Sequence, residues 1–336
     1  MSLKRRLMKL SDFDYNLPKE LIAQHPLKER DAARLLVVNR LNRDLNQDIF
    51  SNILEYLRPG DLLVLNDTKV VKCRLFGRRK SGGKVEVFLL KQEKGPVFEA
   101  LLRPGRLKEK EEIFFNEGAL SAKIVGKNKI SFSSSDLELI RKYAVIPLPP
   151  YIKRPACETD DLDYQTVYSK IEGAVASPTA GLHFTTGLLE KIKKNGVQVA
   201  FVTLHVGWGT FKPVKDEDIM CHRMEAEDFF ISKDAEEKII RTKNNGGRVI
   251  AVGTTACRVL ESFAEGKASG STEIFIYPGY KFRFTDALIT NFHLPRTTLL
   301  MLVSAFGGME LMREAYKKAI DEKYRFYSYG DAMFLT

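Results

Sequence analysis

Three polar turns in this 336-residue chain each place a histidine where it can exchange protons. Ala176–Thr186 carries His183 among Pro, Gly and Thr residues, Thr203–Pro213 carries His205 beside two glycines, and Thr290–Thr298 carries His293 next to a proline. Each turn borders an apolar run, and loops at strand ends are where a rigid scaffold presents reactive side chains. Together they predict one composite site. A fourth segment, Cys221–Asp228, gathers His222 with Glu225, Glu227 and Asp228. An imidazole beside a carboxylate can supply both a base and an acid near neutral pH, although the same pattern also makes an exposed ion-pair cluster. The H-x-x-E-x-E spacing lacks the paired histidines of a zinc helix, so no metal site is expected.

Other segments offer binding groups. Val249–Val252 runs into Gly253-Thr254-Thr255, a strand-to-helix turn whose free N–H groups suit a carboxylate or phosphate and can equally serve only to cap the helix. It is neither G-x-G-x-x-G nor a P-loop. Asn66-Asp67-Thr68-Lys69 follows a buried run and either binds a polar ligand or makes a turn. Tyr277-Pro278-Gly279-Tyr280 with Phe282 offers aromatic faces for a base, though taken alone the segment reads better as aromatic packing around a turn. His25, in a Gln-His-Pro segment, reads as structural, and Trp208, between two glycines, reads as a stacking or covering residue.

The cysteines Cys73, Cys157, Cys221 and Cys257 lie far apart without a C-x-x-C pair, which fits free thiols in a reducing cytoplasm. No apolar run is long enough to span a membrane. Met1–Lys9 is basic without an apolar stretch, so no secretory signal is expected, and Met1–Leu7 reads as an extension ahead of Met8. The net charge of +10 is uneven: residues 70–150 hold 17 Lys and Arg against 9 Asp and Glu, a local +8. Such an excess favours a polyanionic partner over a merely solvated surface.

The elements that must position these groups follow from texture. Leu35–Asn39 and Asp61–Leu65 read as buried strands around an amphipathic helix at Phe50–Leu57, stopped by Pro59-Gly60. From Val70 the texture changes to short strands at Val70–Phe76, Lys84–Leu90, Val97–Leu102, Glu112–Phe115, Leu120–Val125 and Lys129–Phe132, separated by Gly and Pro turns. After the stiff Pro147–Ile152 connector, helices return at Thr185–Asn195, Ser232–Asn245 and Thr254–Ala264, alternating with strands at Val197–Leu204, Arg248–Val252 and Thr272–Ile276. The predicted architecture is a discontinuous α/β domain (1–69 and 151–336) interrupted by an inserted, basic, all-β barrel domain (70–150).

At this point the ordered motifs are specific. Asp12–Tyr15 with Leu21–Gln24, Asn66–Lys69, Arg103-Pro104-Gly105, Pro147–Ile152, Tyr164–Tyr168, Pro178–Thr185, Leu204–Val214, Val252–Thr255, Thr290–Leu302 and Tyr324–Met333 occur in that order. From Met8 onward the chain resembles the S-adenosylmethionine:tRNA ribosyltransferase-isomerases of queuosine biosynthesis. The resemblance implies an α/β domain interrupted by a barrel. It implies a reaction in which S-adenosylmethionine donates its ribosyl unit to 7-aminomethyl-7-deazaguanine at the tRNA wobble position. The unit rearranges to give epoxyqueuosine, and adenine and methionine leave. S-adenosylmethionine is then a consumed substrate, and no cofactor or metal is expected. The expected acid and base groups are His183, His205, His222, Glu227 and His293, with Asp67 and Asp331 as secondary candidates. Expected substrate contacts are Asn66, Thr68, Lys69, Thr179, Gly181, Gly209, Thr210, Gly253, Thr254, Thr255 and Tyr277. Arg74, Arg78, Arg79, Lys80, Lys84, Arg103 and Arg106 are expected to grip the tRNA backbone. The expected setting is cytoplasmic, away from membranes; the sequence leaves the oligomeric state open, a monomer included.

One departure stands out. Where the family pattern places a second histidine after the methionine of the His222 segment, this chain has Glu225, so a two-histidine mechanism there is not expected. Two rival readings share the polyanionic partner: an S-adenosylmethionine-dependent RNA methyltransferase, disfavoured by the missing Gly-rich loop, and a non-catalytic tRNA-binding protein built on the barrel.

Overall fold

Residues buried on both faces of a sheet read as continuous apolar runs rather than alternating ones. Leu35–Val38, Leu62–Leu65 and Val249–Val252 are such runs, and all are fully or almost fully buried. In the computed structural model, which describes residues 8–211 and 214–336, they are strands of a nine-stranded sheet, the last two at its centre and the first beside an edge strand. Met1–Leu7 and the Lys212-Pro213 end of the second histidine turn lie outside the described residues. The strands are β1 (Arg34–Val38), β2 (Leu45–Ile49), β3 (Leu62–Asn66), β4 (Gln198–Leu204), β5 (Glu227–Ile231), β6 (Val249–Val252), β7 (Ser269–Thr272), β8 (Ala287–Asn291) and β9 (Ala332–Leu335), in the order β7-β5-β4-β3-β6-β8-β9-β1-β2. The central β4-β3-β6-β8 group is parallel, β5 and β7 add antiparallel on one side, and β9 pairs antiparallel with β8.

Alternate residues of these strands feed two cores. Leu62, Val64, Ala251 and Leu288 join the core that includes the helices α2 (Lys233–Asn244), α3 (Gly253–Phe263), α4 (Thr298–Gly307) and α5 (Met309–Asp321). Leu63, Leu65, Ile250 and Ile289 join α1 (Thr186–Lys194) and the Phe50–Tyr56 turn on the other face. The caps are as expected from side-chain chemistry: Thr185 Oγ1 accepts from Leu188 N at 3.1 Å, and Ser232 Oγ accepts from Ala235 N at 3.2 Å.

The chain divides into two compact units. One comprises the chain up to Lys69, Pro150–Lys153 and Gln165–Thr336; the other comprises Val70–Pro149 and Arg154–Tyr164. A single boundary at residue 150 therefore misses a second excursion. Arg154–Tyr164 is anchored by Arg154, whose two Nη atoms each reach an oxygen of fully buried Asp160 at 2.7 Å. In the second unit six antiparallel strands close a barrel: Arg74–Arg79, Lys84–Gln92, Val97–Arg103, Glu112–Phe115, Leu120–Gly126 and Lys129–Phe132. Gly77 permits the closure, since a Cβ there would lie 2.7 Å from Ile113 and 2.8 Å from Phe115.

Three local expectations change. Phe50–Tyr56 is a 3₁₀ segment, not an α-helix; three residues per turn set buried Phe50 and Ile53 on one side. The strand expected at Thr272–Ile276 is Ser269–Thr272. It ends because Thr272 Oγ1 accepts from Ile274 N at 3.2 Å, a side-chain turn that replaces the ladder. Val70–Phe76 divides between a short Thr68–Val70 strand, paired with Ile171–Ala174, and the barrel strand from Arg74.

Candidate active site

In open α/β sheets, ligands bind beyond the carboxyl ends of parallel strands. Here β3 ends in Asn66-Asp67-Thr68, β4 in Leu204-His205, β6 in Val252-Gly253-Thr254, and β8 in Asn291-Phe292-His293. The antiparallel neighbours bring Glu227, at the start of β5, and Asp331, just before β9, to the same end.

The β3–β4 corner carries the most reactive geometry. Asn66 is fully buried and clasps β4, donating to the Leu204 carbonyl at 3.0 Å and accepting from Leu204 N at 3.0 Å. Its Oδ1 also accepts from Thr68 N at 3.1 Å, so Asn66 sets the corner rather than facing a ligand. Thr68 Oγ1 lies 2.8 Å from His205 Nδ1 and 3.5 Å from the Ile171 carbonyl. His205 is half-buried; burial lowers its pKa, against the charges of Asp228 and Asp67. Thr203 donates to Asp67 Oδ1 at 2.6 Å, and burial raises the Asp67 carboxyl pKa, opposed by that hydrogen bond, Lys170 and His205. Burial and then the Asp67 charge push the Tyr168 hydroxyl upward. The Ile171–Ala174 strand passes directly over the imidazole: a Cβ on Gly173 would lie 2.7 Å from the His205 ring. Lys69 pairs with Glu172 at 3.4 Å.

The loop from Ser177 to His183 lies against the start of α3. Gly253, at φ +89°, places its Cα where a Cβ would lie 3.6 Å from Ala180 and from Thr255 Oγ1. Gly181 abuts Tyr168 and Thr166. Four buried hydroxyls here, Thr166, Tyr168, Ser177 and Thr255, find no hydrogen-bond partner among the described residues. Buried polar atoms are almost always paired, which marks these four hydroxyls as unusual. Thr254 is buried beside them.

The other histidines are placed differently. His183 is 4% exposed, its ring 5.0 Å from that of Phe50. Asn291 Nδ2 donates to its Nε2 at 3.1 Å, and it hydrogen-bonds the Arg30 backbone. Thr179 donates to Asn291 Oδ1 at 3.1 Å. Burial holds His183 near a pKa of about 4 and His293 near about 3. His293 Nε2 meets Thr290 Oγ1 at 2.8 Å, and its backbone is fixed by Tyr316 and Tyr15. His222 is half-buried, 5.4 Å from the Phe275 ring, which lies 5.1 Å from that of Tyr277. Sequence proximity put His222 with Glu227; their partners differ. Glu227 forms a buried ion pair with Arg258, accepts from Gly207 N at 2.9 Å and meets Thr210 Oγ1 at 3.4 Å. Gly209 packs against Glu225, too closely for a Cβ. Asp331 spends both oxygens on backbone N–H groups, Oδ1 on Arg34 at 2.9 Å and Oδ2 on Arg325 at 2.7 Å. It closes a strand end, and burial raises its carboxyl pKa against those hydrogen bonds and the charges of Arg325 and Arg34. His25 is exposed and only its carbonyl is engaged, by Arg325.

Arg258, Asn291, Thr203, Tyr168 and Ser177 are missing from the sequence-based site. Arg258 and Asn291 lie within apolar helix and strand patterns, and only their buried partners mark them. On the barrel, Arg74 pairs with Glu86 at 2.8 Å and Arg79 with Glu111 at 3.4 Å. Arg78, Lys80, Lys84, Arg103 and Arg106 are exposed. Among the described residues, no group of three or more His, Cys, Asp or Glu could hold a metal, and no helix is long and apolar enough to cross a membrane.

Comparison with known proteins gives the family. The family model described as "Queuosine biosynthesis protein" matches residues 10–335. An S-adenosylmethionine:tRNA ribosyltransferase-isomerase of Sulfurihydrogenibium sp. (strain YO3AOP1) is 51% identical over 336 residues, covering 98% of this chain and all of that protein. One of Thermoanaerobacter sp. (strain X514) is 50% identical over 342 residues with the same coverage. The crystal structure of an S-adenosylmethionine tRNA ribosyltransferase from Thermotoga maritima is 38% identical, with a TM-score of 0.57 over 97% of this chain and all of that one. The chain belongs to the queuosine biosynthesis protein family.

Proposed function

We propose that this chain is an S-adenosylmethionine:tRNA ribosyltransferase-isomerase that modifies 7-aminomethyl-7-deazaguanine at the tRNA wobble position, releasing adenine and methionine and leaving epoxyqueuosine. The observation that carries the reading is the β3–β4 corner, where two titratable groups with opposite shifts adjoin buried hydroxyls that lack partners. Burial disfavours the charged form of both groups, which favours Asp67 as a protonated acid and His205 as a neutral base.

His205 is the proposed base. Its lowered pKa keeps the imidazole neutral at pH 7. If the Thr68 hydroxyl turns to the Ile171 carbonyl, Nδ1–H donates to Thr68 and Nε2 keeps its lone pair. The sulfonium acidifies the C5′ protons of the ribose, and Nε2 removes one. The Asp228 carboxylate stabilises the imidazolium that forms. Asp67, raised by burial, is the proposed donor to departing adenine; as a carboxylate it then takes the proton lost by the attacking amine. The hydroxyls of Tyr168, Ser177 and Thr255 are the proposed contacts for ribose hydroxyls, with the Gly253-Thr254 turn for the methionine carboxylate. His222, Phe275 and Tyr277 form a run of rings suited to adenine. His183, His293 and Glu227, whose groups are engaged inside the protein, hold the loops in place. The reading needs no cofactor beyond the consumed donor.

The test is turnover of S-adenosylmethionine with tRNA bearing the aminomethyl-deazaguanine base, followed by mass analysis. Adenine, methionine and an epoxyqueuosine nucleoside are expected, with loss of turnover in His205→Asn. S-adenosylhomocysteine with a methylated nucleoside would replace this reading by methyl transfer.

A further inference from the structure

Strand alternation should bury one face of a barrel strand and hydrate the other. Phe76 breaks this pattern: it is 58% exposed on the outer face of Arg74–Arg79, between Arg74 and Arg78. Register extends the pattern sideways. Phe76 pairs with Glu86 and Glu86 with Arg103; Arg78 pairs with Lys84 on one side and Phe114 on the other. Two adjacent rungs thus hold two rings and three exposed cations. The same residues line a groove of about 790 Å³, together with Pro104 and Asn116. The Arg74 guanidinium lies over the Phe76 ring, 5.1 Å from its centroid, and is neutralised by Glu86. It supports the ring from one side while Arg78, Lys84 and Arg103 keep their charge toward solvent.

An apolar protein partner would be opposed by three cations that outnumber Glu117, the groove's carboxylate besides Glu86. A duplex would use the cations and leave the rings idle. Unpaired nucleotides satisfy both, because bases stack on aromatic faces while phosphates meet cations. We propose that Phe76 and Phe114, flanked by Arg78, Lys84 and Arg103, form a stacking platform for unpaired nucleotides of the RNA substrate. The proposal rests on the reading that tRNA is that substrate.

The test uses the full-length protein and a short oligoribonucleotide carrying 2-aminopurine, with a blunt RNA duplex of equal charge and S-adenosylmethionine as comparisons. Phe76→Ala is expected to weaken binding of the unpaired strand roughly 5- to 150-fold, the worth of one stacked base. It should also abolish the stacking-dependent quenching of 2-aminopurine. Phe76→Tyr should restore both, Phe76→Leu neither, and S-adenosylmethionine binding should be unchanged in all. Wild-type affinity in Phe76→Ala or Phe76→Leu would overturn the platform while leaving the tRNA reading intact. Equal losses on strand and duplex would overturn it as well. Failure of the unaltered protein to bind any RNA while still binding S-adenosylmethionine would overturn both.

Discussion

Glu227 and Asp67 lie at the same end of one sheet and meet opposite surroundings. Glu227 is 6% exposed and is matched by Arg258, itself 5% exposed, whose remaining donors reach the Ile274 and Thr272 carbonyls. Removing one member of a buried pair strands the other's charge. Arg258→Met should therefore destabilise the fold by about 3–5 kcal/mol, and adding Glu227→Gln should recover much of the loss. Urea unfolding of the single and double variants measures both. The buried histidines make a second prediction. His183 and His293 titrate near about 4 and about 3 in the folded chain, below the roughly 6.5 of an unfolded histidine. The unfolded chain thus binds more protons between those values and pH 6.5. Their stabilisation is complete above about pH 6.5 and is lost as pH falls, on the order of 2 kcal/mol for each by pH 5. The urea midpoint should drop between pH 7 and pH 5, and His183→Gln should lessen the drop. His205 belongs to another category: its lowered pKa predicts an acid limb of kcat/KM with a midpoint below that of an ordinary histidine.

At the scale of elements, the strand Ile171–Ala174 controls His205 through a missing side chain. A Cβ at Gly173 would fall 2.7 Å from the ring, so Gly173→Ala must displace either the strand or the imidazole. A shift near 1 Å at a reacting group can cost roughly 10²-fold in rate. We expect kcat of the folded enzyme to fall by about that factor, with a lowered melting temperature as well, because Gly173 sits at φ +152°, where a side chain is strained. An unchanged kcat would place the chemistry away from His205. The barrel strands were legible in the sequence because their alternation is clean, and β1, β3, β4 and β6 because their runs are largely apolar. β2, β5, β8 and β9 were not. Glu227–Ile231 alternates between buried and exposed positions inside a charged segment, and Ala332–Leu335 follows a turn-rich stretch without a periodic signal. The histidine loops could be named from spacing, yet which histidine keeps an available nitrogen depends on residues far away. Asn291 meets His183 across 108 positions and Arg258 meets Glu227 across 31. No local pattern encodes those meetings.

Across the whole molecule, charge is divided as sharply as chemistry. Of the net +10, residues 70–150 carry +8. The groups proposed for catalysis stand instead at the strand ends of the nine-stranded sheet. Binding of a polyanion by this charge must release counterions, so the logarithm of tRNA affinity should fall linearly with the logarithm of salt concentration. The slope counts the cations that meet phosphates. Lys84→Ala and Arg103→Ala, which remove exposed charges, should each reduce it by roughly one. Arg79→Ala should change it little, because Arg79 already pairs with Glu111. Phe76→Ala should weaken binding at every salt concentration without altering the slope, since stacking releases no counterion. Affinity for S-adenosylmethionine should not respond to any of these four substitutions. A salt slope that Lys84→Ala and Arg103→Ala leave untouched would mean that the RNA backbone is held elsewhere, and that the basic surface of residues 70–150 serves only to keep the chain in solution.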